Sequence, residues 1–189
     1  MSQDTSNWKA KVEAAGFEIG ESLSARQEIN RNSEKVWKAI SSPGHLANVH
    51  PFCRETTVGK WPGMGAHDSI TYYSGRKYRR DFVGWIEGVG YDIEVGAFPN
   101  VTSRVQWRVL AASPVSSAIS IEVFPFIKVG TEESKRELYL SRLFGADFQH
   151  YLDCVVKGVK YYSETGKAVD EDQFGSNKLY SNPDNLRIE

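Results

Sequence analysis

The sequence predicts one soluble α+β domain: a curved, seven-stranded antiparallel sheet wrapped around a long C-terminal helix, with two short helices after the first strand. Three observations carry that reading. Between Cys53 and Phe124 the apolar pattern has period two. Short turns rich in Gly, Pro and Asn punctuate it, so successive strands pair antiparallel rather than through βαβ crossovers. Beyond it Phe144, Phe148, Leu152, Val155, Val156, Val159 and Tyr162 fall at helical spacing and form one stripe.

The elements follow in order. Ser6 or Asn7 caps a short helix whose Trp8, Val12 and Ala15 share a face; Gly16 and Gly20 then interrupt it. Residues 23–30 form the first strand. Ser33 caps a one-faced helix bearing Val36, Trp37 and Ile40, which ends at the Ser41–Ser42–Pro43–Gly44 break. A second helical turn spans 45–49, and Pro51 stops it. Strands follow at 54–60, 68–74, 79–87, 91–98, 103–111 and 117–124, the fifth of these alternating most clearly (Val105, Trp107, Val109). The long helix covers 133–164, and Gly166 ends it as a C′ glycine. Three segments result: an N-terminal helical extension (1–24), the folded domain (25–166), and a polar C-terminal tail (167–189) lying on the surface or disordered.

Composition narrows the function. Apolar residues make up 40% and charged residues 25%, an ordinary globular balance. Five Trp, nine Tyr and nine Phe supply large apolar faces for a core or a pocket wall. The net charge of −1 gives no electrostatic reason to expect nucleic acid or an anionic membrane. Two distant cysteines, Cys53 and Cys154, make neither a disulfide framework nor a zinc motif, and cytoplasm is the expected location. No signal peptide or membrane span is expected. A helix of about 30 residues is about 45 Å long, and a bent sheet grips such a helix without filling the trough between them. The remaining space is an apolar tunnel with a few polar groups.

This layout, with Glu28–Ile29–Asn30–Arg31–Asn32–Ser33–Glu34–Lys35–Val36–Trp37 running from the first strand into a helix, resembles the START-like or Bet v 1-like (SRPBCC) superfamily, nearest its polyketide cyclase/dehydrase and lipid-transport branch. The resemblance covers about residues 25–166. It implies a helix-grip fold with a central ligand cavity; members bind lipids, sterols, hormones or polyketides, and only some are enzymes. The tail stretch Asp172–Gln173–Phe174–Gly175–Ser176 resembles a feature of a bacterial subgroup.

No GxSxG, HExxH, P-loop or GxGxxG motif is present, and no cofactor or metal is expected. Of the four histidines, His45, His50, His67 and His150, His50 beside Pro51 and Phe52 is the best candidate for a ligand contact or general base; a surface or capping histidine is the competing reading. Tyr72 and Arg80 belong to a Tyr/Arg-rich hairpin and point into the trough if Phe82 does; Arg76, Lys77 and Arg79 serve solubility. Asp81 shares a face with Val83 and Trp85 and, if internal, needs an arginine partner. Glu94 and Glu122 face solvent. Trp61, Trp85 and Trp107 are core or cavity wall. The expected ligand contacts are His50, Tyr72, Arg80, Trp107, Phe148, Leu152 and Val155, with His50, Tyr72 and Arg80 meeting at the polar end as candidate catalytic groups. The leading function is binding or transport of a small hydrophobic molecule. A cyclase or dehydratase using the same cavity is the alternative, and a protein-interaction module the third reading.

Overall fold

The computed structural model describes residues 7–96 and 100–187. Helix α1 (Trp8–Ala14) leads into two short strands, β1 (Phe17–Ile19) and β2 (Leu23–Ile29). Helices α2 (Ser33–Ser41) and α3 (Leu46–Val49) follow. Six strands come next: β3 (Cys53–Val58), β4 (His67–Tyr72), β5 (Lys77–Ile86), β6 (Gly90–Val95), β7 (Ser103–Ser113) and β8 (Ser116–Lys128). Two helices, α4 (Glu133–Phe144) and α5 (Ala146–Thr165), close the domain.

The sheet is antiparallel throughout and has eight strands rather than seven, in the order β1-β8-β7-β6-β5-β4-β3. Strands β1 and β2 lie end to end along β8, pairing with Phe126–Lys128 and Ser117–Val123 respectively. The extra strand arises at Gly16, whose φ of +85° ends α1 and sends the chain back alongside β8. Strand β8 runs past Phe124 through Pro125 to Lys128, beyond the expected end. The N-cap of α2 is Asn32, not Ser33: its side chain accepts the Lys35 N–H at 3.1 Å.

The expected single helix is two. Gly145 adopts an extended conformation (φ −83°, ψ −161°) between α4 and α5. A Cβ there would lie 2.4 Å from the Ser141 carbonyl oxygen, so glycine alone fits the break. Helix α5 buries Phe148, Tyr151, Leu152, Val155, Val156 and Val159 against the concave face of the sheet. Gly158 lets α3 close onto α5, since a Cβ would come within 2.2 Å of the Val49 carbonyl oxygen. Gly166 ends α5 in the left-handed region, as expected. Outside the main core, Trp8 and Val12 of α1 form a small cluster with Phe126, and the Trp8 ring packs edge-on to Phe124.

The C-terminal tail differs most from expectation. It folds back onto the domain and buries Asn177, Tyr180 and Ser181. Ser74 N–H donates to the Tyr180 carbonyl, Asp172 N–H to the Pro51 carbonyl, and the Asn177 side-chain amide to the Asp147 carbonyl. A polar composition therefore marks a docked strap here, satisfied by hydrogen bonds rather than by burial of aliphatic side chains.

Candidate functional site

Between the concave sheet face and α5 lies a cavity of about 90 Å³. Its walls are mainly apolar: Leu46 from the start of α3, Ile70 and Ile93 from the sheet, and Phe148, Leu152 and Val155 from α5. The seven residues expected from sequence, His50, Tyr72, Arg80, Trp107, Phe148, Leu152 and Val155, all border this space.

Strand parity places the polar end. On β4, Asp68, Ile70 and Tyr72 face inward; on β5, Arg80 and Phe82 do. Asp68 and Arg80 sit directly opposite each other across the ladder. The Arg80 guanidinium grips both Asp68 oxygens, Nε to Oδ1 at 2.7 Å and Nη2 to Oδ2 at 2.5 Å, with both side chains buried. Burial opposes the arginine's charge, but the Asp68 carboxylate overrides it and holds Arg80 firmly protonated.

Unbroken alternation along β5 would put Arg80 on the face opposite Asp81, Val83 and Trp85, so that Arg80 and Trp85 could not both turn inward, yet they do. A bulge between Phe82 and Gly84 shifts the register on β6, so Phe82 pairs with Ile93 and Trp85 with Tyr91. The parity reverses at the bulge. Arg80 and Trp85 therefore both turn toward the core, while Asp81 turns outward and pairs with Arg79.

His50 follows α3 and is buried, not on the surface. Its Nδ1 accepts the Phe52 N–H at 3.3 Å, and its Nε2 lies 2.9 Å from the Tyr151 hydroxyl. Burial and then the Arg80 charge lower its pKa to about 3, so the ring is neutral and its one proton sits on Nε2, donated to Tyr151. The Tyr151 and Tyr72 hydroxyls are 2.9 Å apart. Whichever of them donates to the other, one O–H remains for a ligand. Burial raises both phenols, so each keeps its proton at neutral pH. Tyr180 from the strap completes this end, with ring centroids 4.5 Å from both Tyr72 and Tyr151.

His45 is also buried: its Nδ1–H donates to the Ser42 carbonyl and its Nε2 accepts the Tyr91 hydroxyl. Burial, then the Arg80 charge, keeps it neutral. His67 is half-buried and His150 is exposed beside Cys154. Trp61 and Trp85 pack with Phe82 as core, and only Trp107 of the three borders the cavity. Glu94 and Glu122 are partly buried on the other sheet face; Glu94 faces Arg104, and Glu122 accepts from Ser22.

Sequence reasoning missed Asp68, Tyr151 and Tyr180. The first two were accessible to it. Asp68 shares period-two parity with Ile70 and Tyr72, and Tyr151 sits three residues from Phe148 on the helix stripe. Tyr180 lay in a segment read as tail. Among the described residues, no group of three or more His, Cys, Asp or Glu side chains is placed to hold a metal ion. None of the described helices is long and apolar enough to cross a membrane.

No protein-family model matches this sequence, and no curated protein matches it. Solved structures match in fold. Norcoclaurine synthase from Thalictrum flavum, in complex with dopamine and hydroxybenzaldehyde, aligns with a TM-score of 0.58 at 12% identity, over 77% of this chain and 87% of that one. Ara h 8.0201 aligns at 0.52 and 14% identity, over 77% and 98%. The di-domain ARO/CYC BexL from the BE-7585A biosynthetic pathway aligns at 0.60 and 8% identity, over 76% of this chain and 48% of that one. The chain has the Bet v 1-like (SRPBCC) fold.

Proposed function

We propose that the protein binds a compact, neutral, largely hydrophobic molecule carrying a hydrogen-bond acceptor. The supporting observation is one apolar cavity whose polar end offers donors and no free charge: His50 neutral, Tyr151 and Tyr72 protonated, Arg80 neutralised by Asp68. Apolar walls give affinity, and a single directed O–H gives orientation. The small volume caps the ligand near a single ring: an apolar cavity of about 150 Å³ holds benzene, so about 90 Å³ takes one ring with modest yielding of a wall and nothing much larger. A sterol or a long acyl chain does not fit this conformation. Two buried free thiols suit a reducing compartment, and we place the protein in the cytoplasm. The net charge of −1 supports a reading without a nucleic-acid partner.

An enzyme using the same cavity, as the likeness to norcoclaurine synthase and BexL suggests, is the second reading. It relies on the donors as electrophiles toward a developing oxyanion, because His50, at about 3, is too weak a base to take a proton efficiently near neutrality.

The test compares acetophenone with ethylbenzene, two single rings differing by a carbonyl. Calorimetric titration is expected to show acetophenone bound roughly tenfold tighter, about one hydrogen bond's worth, and the double variant Tyr72→Phe/Tyr151→Phe, which removes both hydroxyls, to erode that preference. Equal binding of the two by the unaltered protein, or binding of neither, defeats the reading.

A further inference from the structure

The cavity of about 90 Å³ is smaller than the apolar cavity of about 150 Å³ that takes up benzene, so a ring-sized ligand requires one wall to yield. The sheet and α5 are poor candidates. Both are held by continuous hydrogen-bond ladders, and α5 buries six apolar side chains facing the sheet. The other walls are Leu46 and His50 at and just after α3, Thr102 before β7, Phe144 at the end of α4, and the C-terminal strap, which contributes Tyr180.

The strap is built to detach. Its docked apolar side chains are few: Tyr180 is buried, and Phe174 and Leu179 are partly so. Asn177, also buried, holds it through the Asp147 carbonyl, and two backbone bonds, Ser74 N–H to Tyr180 and Asp172 N–H to Pro51, add to the attachment; water can replace all three on release. Asp172 is the only described non-glycine residue with positive φ (+53°), a left-handed conformation that aspartate tolerates better than most residues but at a small cost. One of its carboxylate oxygens accepts from Ser181, and the other is buried without a partner. The docked state thus carries local penalties that undocking relieves.

We propose that the segment from Asp170 to Ser181 is a strap that closes the cavity, with Tyr180 as the residue that sets ligand size and lifts to admit ligand. The Tyr180 ring packs at a tilt against Tyr72 and Tyr151, the two hydroxyl carriers, so its displacement widens the cavity at its polar end. The inference rests on the cavity-binding reading above, and its test separates the two.

Full-length protein is titrated with N-phenyl-1-naphthylamine, a neutral three-ring fluorophore too large for the closed cavity. Acetophenone is run in parallel. Tyr180→Ala is expected to raise affinity for the fluorophore at least tenfold over the unaltered protein, and Tyr180→Phe to leave it unchanged. Asn177→Ala lies off the cavity wall and removes the anchor to Asp147. It is expected to speed fluorophore uptake severalfold without weakening acetophenone binding. If Tyr180→Ala does not fold, Asn177→Ala decides. Fluorophore binding and uptake unaltered in the folded variants, with acetophenone still bound, overturn the strap and spare the binding reading. A gain of fluorophore binding in the variants, with acetophenone unbound by the unaltered protein, supports the strap and defeats the ring-sized ligand.

Discussion

The buried neutral histidines make the fold sensitive to acid, and His50 gives the size of the effect. Its pKa in the folded protein is about 3, against 6.5 for an unperturbed histidine, because burial and then the Arg80 charge oppose protonation. Between these values the unfolded chain binds a proton that the folded one refuses. Stability is therefore full above pH 6.5 and lost as pH falls toward 3. From pH 7 to pH 4, and at 1.36 kcal/mol per pH unit, the linkage removes about 3 kcal/mol through His50 alone. That is a large share of a typical domain's 5–15 kcal/mol. Urea unfolding at pH 7, 5.5 and 4 measures the loss, with His50→Asn as reference. Asparagine is polar but does not titrate, and carboxylates and His45 contribute equally to both proteins. The variant is expected to start less stable at pH 7 and to lose about 3 kcal/mol less than the unaltered protein by pH 4. Parallel stability curves for the two proteins refute the assignment of a buried, neutral His50.

Two further outcomes test the packing around it. Asp68→Asn leaves the Arg80 charge buried without its carboxylate and is expected to cost about 3–5 kcal/mol in chemical denaturation, whereas Asp68→Leu combined with Arg80→Met recovers most of that loss. Leu152→Ala is expected to cost about 2–5 kcal/mol, toward the lower end because the residue borders a cavity; a loss under 1 kcal/mol shows that α5 does not pack as described.

How much of this was legible depended on the range of the interaction. The α5 stripe was readable because Phe148, Leu152, Val155 and Val159 recur at helical spacing, and burial follows that spacing. Tyr151 belongs to the same stripe, but its hydroxyl acquires meaning only from His50 and Tyr72, which are distant in sequence. Arg80 was assigned to the inner face with an objection, that Trp85 then had to face outward. The objection assumed unbroken alternation, and the bulge between Phe82 and Gly84 removes it; Gly84, an isolated glycine within the strand, was its signal and was passed over. Gly145 was visible and passed over, since a single glycine within a long periodic run is often tolerated. Tyr180 was out of reach. The strap's composition is that of a tail, and it docks through backbone carbonyls of Asp147 and Pro51 that no side-chain pattern encodes.

The pairing of Arg80 with Asp68 bears directly on what the cavity accepts. An arginine at the polar end of an apolar pocket invites a carboxylate ligand, and Arg80 was expected from sequence to contact the ligand there. Both Asp68 oxygens are already held by the guanidinium, however, and both side chains are buried. A ligand carboxylate competing for Arg80 would strip Asp68 of its counter-ion and leave a net negative charge inside the protein. Breaking such a pair costs about 3–5 kcal/mol, more than the roughly 1.5–3 kcal/mol that one hydrogen bond to a charged group returns. A neutral acceptor directed at the Tyr151–Tyr72 hydroxyls incurs no such penalty. The ion pair thus acts as a filter: Asp68 holds the Arg80 charge, burial and then Arg80 keep His45 and His50 uncharged, and selection turns toward carbonyl or ether oxygens and away from acids.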